Sequence, residues 1–352
     1  MTLRNHGGGV ALRSPTPLEG RLLDALRRAS RSGDDGPLRA LVGAEPSDPR
    51  DGLATLGLIH GLSMAPIEEL AGAEQWQHHP AVADLRWRLE VSLVERLDAL
   101  AAEQLPDMPD DDGAVAALRR LAHVDAVPEV YRWLAERATF DELIGFLTLE
   151  GGPDGGFDDL VALCQVGLSG RPKLVLAANY WDEMGRGELE EVHTALHRRL
   201  GEALGLSGRS AEPLPEWALL RGVLGSFLAL SRAHQPEAVG AFGLIELQAG
   251  PRCRWVLKAL DRLDAPHDAA PFYAEHAEAD PRHGKDWLDH AVAELATDPR
   301  WAEGIVRGAR WRAAVGSAFF AQALVAVTGA VPDRVSDSDL DADLGAGRAR
   351  AS

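Results

Sequence analysis

The sequence predicts an all-α protein, and three observations predict it. Apolar residues recur at three- and four-residue spacing along nearly every segment between about 17 and 330. No segment alternates apolar and polar residues as a half-buried strand would. Gly, Pro and Asp punctuate the intervals between the helical runs. With no fixed-period repeat, the helices are expected to pack as a bundle.

Residues 1–16 contain Gly7-Gly8-Gly9 and Pro15 with little periodicity, and are expected to be disordered. "LEGRLLDALRRA" then begins a region, 17–125, expected to form a helical layer. Within it "DLRWRLEVSLVERLDALAAEQL" is long and amphipathic. The Pro- and Asp-rich "LPDMPDDDG" (105–113) is the best linker candidate between this layer and a core bundle over 126–330. The bundle opens with "PEVYRWLAER" and "FDELIGFLTLE", separated by Ala138-Thr139. "FDDLVALCQVGL", "RPKLVLAANYWDEMG", "GELEEVHTALHRRLGEAL", "EWALLRGVLGSFLALSR" and "PEAVGAFGLIELQAG" follow, each with an apolar face at helical spacing. The last third supplies "RWVLKALDRL", "APFYAEHAEADPRHGKDWLDHAVAEL" and "WAEGIVRGARWRAAVGSAFFAQALVAV". The acidic tail, 331–352, is expected to be disordered.

The formal charge of −18 argues against nucleic acid or anionic membrane as the main partner. Cys164 and Cys253 are the two cysteines, and neither belongs to a C-x-x-C pair, which excludes a zinc ribbon or a thioredoxin-type motif. Low cysteine use, an N-terminus without the apolar stretch of a signal peptide and no uninterrupted apolar run of about 18 residues lead us to expect a cytoplasmic protein with no membrane span.

The informative residues are acids and histidines inside apolar helices. Glu150 ends "GFLTLE" and Glu246 sits in "FGLIELQ". An ionised carboxylate buried on a packing face needs a proton, a partner or a metal. Taken singly, each also fits a helix-end acid whose head reaches water. In "NYWDEMGRGELEEVH", read as one helix, Glu183, Glu190 and His193 fall within an arc of about 80°. Glu190 and His193 form an E-x-x-H pair, the spacing of carboxylate-bridged di-metal bundles. The bland alternative is a solvated charged face. Gly185 and Gly187 are costly inside a helix unless it bends there or another backbone comes close.

In "FYAEHAEADPRHGKDW", His276, Asp280 and His283 lie within about 60° of one another at i, i+4 and i+7. Pro281 argues against an ideal helix there, which suits a kinked segment whose side chains swing onto a metal. Oxygen and nitrogen donors without thiolate suit iron or manganese better than zinc, and the number of groups fits two metals better than one. H-E-x-x-H, the zinc-peptidase signature, is absent. His193 and His197 at i, i+4 leave a mononuclear zinc site as a fallback, although His197 and His290 read as surface residues.

"LxxFLTLE", "NYWDEMGRGELEEVH" and "FYAEHAEADPRHGKDW", in that order, resemble the haem-oxygenase-like diiron oxidases and oxygenases, the iron-containing redox enzymes. The resemblance covers roughly residues 126–300. It implies a haem-oxygenase-like bundle here carrying an additional N-terminal helical layer. It also implies metal ligands at Glu150, Glu183, His193, His276, Asp280 and His283, with Glu190 and Glu246 at positions that bind metal in some members. By the same resemblance the cofactor is a pair of Fe ions, O2 is the co-substrate, and an electron donor is a candidate partner. The substrate is then a small amino-acid-like or aliphatic molecule undergoing N-oxygenation, desaturation or C–C cleavage in a biosynthetic pathway.

Three other readings fit the same residues. One is a metal-free helical enzyme of thiaminase or quinone-cofactor type, using the acids as general acid and base. Another is a non-catalytic helical interaction protein. The third is haem binding, which needs only one proximal histidine. Arg186, Arg282 and Lys258 are candidates for binding a substrate carboxylate but read as surface charges. A homodimer is plausible for a helical enzyme of this size.

Overall fold

The computed structural model describes residues 17–106, 113–151, 156–206 and 214–329. The expected disordered ends, 1–16 and 331–352, and the centre of the expected linker lie outside the described residues. Among the described residues all regular structure is helical, with no strand. Helices of at least eight residues are numbered in chain order. The N-terminal region contains α1 (Leu18–Ser32), α2 (Pro49–Met64), α3 (Pro80–Gln104) and α4 (Ala114–His123). Then come α5 (Glu129–Glu136), α6 (Phe140–Gly151), α7 (Phe157–Cys164) and α8 (Gly170–Glu183). They are followed by α9 (His193–Leu204), α10 (Glu216–Leu230), α11 (Gln235–Arg262), α12 (Pro271–Asp286) and α13 (Pro299–Thr328).

The sequence reading does not single out α2 or α4. Asp48 caps α2, accepting from the Asp51 amide at 2.9 Å. Asp51 in turn accepts from the amides of Leu18 and Glu19 at 2.8 and 2.9 Å, which ties the start of α1 to α2 and explains a buried carboxylate there.

At the centre α11 is buried among its neighbours and crosses α13 closely. A Cβ on Gly240 would stand 1.8 Å from the Ile305 carbonyl oxygen, and one on Gly308 2.0 Å from that of Glu237. Only glycine permits that approach. The segments 236–250 and 254–263, read from the sequence as separate, form one helix that runs through Pro251. Burial of Phe242, Val256, Ala259 and Leu260 along it outweighs the proline's cost of about 3 kcal/mol.

One apolar cluster joins Leu22, Leu56, Leu85 and Leu118 of the N-terminal helices to Phe227, Phe242 and Trp311 of the later ones. A second surrounds Tyr131, Phe146, Val256 and Phe319. The N-terminal helices therefore share a core with the bundle. By length and composition α13 could cross a bilayer, but Ile305, Trp311, Ala314 and Phe319 are buried against the other helices. It is used as a core helix.

Candidate metal centre

α8 ends at Glu183, and the chain does not continue as a helix into His193. Gly185, Arg186 and Gly187 take left-handed conformations with φ of 60°, 53° and 93°. A Cβ on Gly185 would lie 2.5 Å from the Glu191 carbonyl carbon, because the chain folds back on itself there. The one-helix reading of this stretch is thus corrected: a tight loop separates Glu183 from His193. It buries Glu183 and His193 and leaves Glu190 exposed on the turn Leu189–Glu191. Gly185→Ala should therefore cost about 1–3 kcal/mol through backbone strain and push the 189–193 turn away. A lowered Tm with reduced metal uptake is the expected result; an unchanged Tm would contradict the close approach.

Two groups of potential ligands meet between α8, α9, α11 and α12. Glu183, His193 and His276 form one, and Glu246, Asp280 and His283 the other; within each, one ligand atom per residue lies within 4.8 Å of the other two. His193 Nδ1 is 2.6 Å from Glu183 Oε2, and the His193 and His276 ring centroids are 4.4 Å apart. His276 Nδ1 is 2.7 Å from the Phe272 carbonyl oxygen, so that nitrogen carries the proton and Nε2 is left with a lone pair. In the second group His283 Nδ1 is 3.6 Å from Glu246 Oε2.

Glu246 is 2% exposed, so the reading of a carboxylate reaching water does not hold for it. Glu150 joins neither group. It lines the same cavity, where the Tyr131 hydroxyl donates to its carboxylate and Arg221 donates to its carbonyl at 2.8 Å. His197, read as a surface residue, also lines the cavity, with its ring against Phe272.

The charges explain why these groups are unusual. Burial first, then the neighbouring Glu246, Glu183 and Glu275, raise the Asp280 carboxyl well above the ordinary range. Burial opposes charge on His283, but the carboxylates of Glu246 and Asp182 outweigh it and raise that imidazole to about 9. Burial, followed by the nearby His193, lowers His276. His193 Nε2, Glu246 Oε2, Asp280 Oδ2 and His283 Nδ1 are buried with no hydrogen-bond partner among the described residues. Orphaned donor and acceptor atoms are costly in a folded protein. Here they converge in two groups of mixed carboxylate and imidazole, the chemistry that suits iron.

Pro281 does not break α12. It removes the amide that would have bonded the Ala277 carbonyl, and Arg254 donates to that carbonyl instead at 2.8 Å. The proline ring packs on Gly250 of α11, where a Cβ would stand 2.9 Å from Pro281 Cδ. Gly284 lies so close to the Glu246 backbone that a Cβ there would sit at 3.0 Å from it. α12 therefore carries His276 to Glu183 and His193, and Asp280 and His283 to Glu246.

Both groups border a cavity of about 420 Å³. That is within the size range of small-molecule sites, roughly 300–1,000 Å³. Its walls are mainly apolar, with Phe157, Leu224, Phe242, Ile245 and Phe320 among them, together with Arg221, Arg252 and Arg312. The sequence reading missed these arginines, although arginine inside runs such as "EWALLRGVLG" and "GARWRAAVG" is a signal of the same kind as the buried acids. Arg252 is held by the carbonyls of Asp125 and Ala126 at 2.9 and 3.1 Å.

Buried carboxylate and imidazole groups around a mainly apolar cavity in a helical bundle are an arrangement that could hold metal ions. Comparison with known families agrees: the model of the family described as iron-containing redox enzyme matches residues 145–317, and this region of the chain belongs to that family. The protein is an oxidoreductase of the haem-oxygenase-like superfamily. The match runs from within α6 to within α13 and includes every residue of the two groups. No curated protein matches the chain.

Proposed function

We propose that the protein is an O2-activating oxidase or oxygenase that holds two iron ions without haem. Glu183, His193 and His276 would hold one ion and Glu246, Asp280 and His283 the other, while Glu150 stands on the cavity wall beside them. The observation that carries the reading is the convergence of unpartnered buried ligand atoms into two groups on one cavity. When bound, the metals supply the redox chemistry with O2. The chain's own residues do the rest. The apolar wall of Phe157, Leu224, Phe242 and Ile245 receives an aliphatic part of the substrate and keeps bulk water from it. The cavity arginines suit a substrate carrying a carboxylate, in keeping with a small amino-acid-like or aliphatic acid. His276 Nδ1–H donates to the Phe272 carbonyl oxygen, which keeps Nε2 available as a ligand atom.

The test is anaerobic loading of the full chain with Fe(II), desalting and metal analysis, followed by exposure to O2. About two iron ions per chain with O2 uptake is the expected result. No bound iron, or a haem-type absorption on reconstitution in place of two irons, would overturn the reading.

A further inference from the structure

Most of the unpartnered atoms above point inward, but two side chains of α8 approach the second group from outside. Asp182 Oδ2 is 2.8 Å from His283 Nε2, the ring nitrogen facing away from Glu246. Asn179 Nδ2 donates to Glu246 Oε1 at 3.0 Å and leaves Oε2 turned toward His283 Nδ1. Asn179 and Asp182 are one helical turn apart, so a single face of α8 carries both contacts. The same helix then ends on Glu183, which belongs to the other group. Asp182 is itself held by Arg282 at 2.7 Å and by Arg186 at 3.5 Å.

We infer that Asp182 and Asn179 are positioning residues for the second metal, and that His283 takes that metal through Nδ1 whereas His276 takes its own through Nε2. The inference rests on the two-metal reading. It follows from which nitrogen is already engaged. On His276 the Phe272 carbonyl claims Nδ1, and on His283 the Asp182 carboxylate claims Nε2. A carboxylate on the outer nitrogen fixes the tautomer and makes the ligating nitrogen more basic than a neutral carbonyl does. The two irons would therefore sit in unlike environments, although each group offers carboxylate and imidazole. Asn179 acts in parallel: with one Glu246 oxygen bound to its amide, the carboxylate presents the other oxygen in a fixed direction. The wall of Arg186 and Arg282 around Asp182 keeps its charge in place at the protein surface, where both arginines are about half exposed or more.

Zn(II) can stand in for iron as a diamagnetic probe of the same ligands, which lets nitrogen-15 NMR of histidine-labelled full-length protein read each ring directly. The expected result for the Zn(II)-loaded protein is a retained Nε2 proton and a metal-shifted Nδ1 on His283, with the opposite pattern on His276. Asp182→Asn keeps the shape of the side chain and removes its charge. It should weaken the second Zn(II) equivalent by about 10–100-fold and leave the His193 and His276 signals unchanged. Asn179→Ala should weaken the same equivalent without altering the His283 nitrogen pattern. A purely structural role for Asp182 would lower Tm without changing either the ring pattern or the second affinity, and that outcome would overturn the inference. So would ligation of His283 through Nε2 in a protein that binds two Zn(II). Uptake of one Zn(II) with no change at His283 would instead overturn the two-metal reading, and the inference with it.

Discussion

His193→Ala is expected to bind at most about one iron per chain and to lose O2-dependent turnover by at least roughly 100-fold. His193 is 4% exposed and lies 2.6 Å from Glu183, so no water-exposed group stands ready to replace it. Its removal leaves Glu183 and His276 as the donors of the first group. Two protein ligands hold an iron far less firmly than three, and the cavity side of the site is apolar. The second group should still fill, because Glu246, Asp280 and His283 come from α11 and α12 and not from α9. Circular dichroism and Tm without metal should stay close to wild type, which separates ligand loss from misfolding. His197→Ala is the control within the same helix: it should retain iron, and any effect should appear as a changed KM, since His197 borders the cavity. Wild-type iron content and turnover in His193→Ala would remove His193 from the site.

Some of this site was legible in the sequence because helical spacing survives folding. His276, Asp280 and His283 were placed on one stripe by their i, i+4, i+7 positions, and α12 keeps that register because Arg254 and Gly250 accommodate Pro281. Glu190 shows the limit of the same reasoning. Its E-x-x-H spacing is meaningful only inside a helix, and three consecutive left-handed residues end the helix before it. The glycines were legible as an anomaly, but the direction in which the chain turned was not. Glu246 was ambiguous in sequence because a lone glutamate in an apolar helix fits either burial or a reach to water. Only the packing of α12 against α11 decides it. Asp182 and Asn179 were visible within the motif, yet their partners are 101 and 67 residues away, and no local pattern connects them. The all-α class was the most readable level, since apolar periodicity reports it in almost every segment. The joining of two segments through Pro251 was hidden, because tertiary burial overrode a local breaking signal.

Asp280→Asn is expected to stabilise the metal-free protein and to abolish its stabilisation by metal. Asp280 is 2% exposed and faces Glu246, Glu183 and Glu275, with Arg254 as the cation that opposes them. Burial and those carboxylates raise its carboxyl well above the unfolded value near 3.8, so the folded state binds a proton that the unfolded state has released. That linkage makes stability fall as pH rises from about 3.8 through the raised folded pKa. His283 adds to the trend in a second window. Its contribution is full below 6.5 and is lost as pH rises through about 9. The metal-free wild type should therefore have a lower Tm at pH 9 than at pH 6. An amide at position 280 cannot ionise, which removes the repulsion and flattens the first part of this dependence. A gain of about 0.5–2 kcal/mol at neutral pH is the expected size, the range common for single stabilising substitutions. The same amide is a poor iron ligand, so Fe(II) or Zn(II) should raise Tm in the wild type and leave Asp280→Asn almost unmoved. The measurement is thermal unfolding of both proteins, with and without metal, from pH 6 to pH 9. A destabilised variant without metal would show that Asp280 is held by favourable contacts and not by an absent cation. A variant that still gained wild-type stabilisation from metal would take Asp280 out of the ligand set.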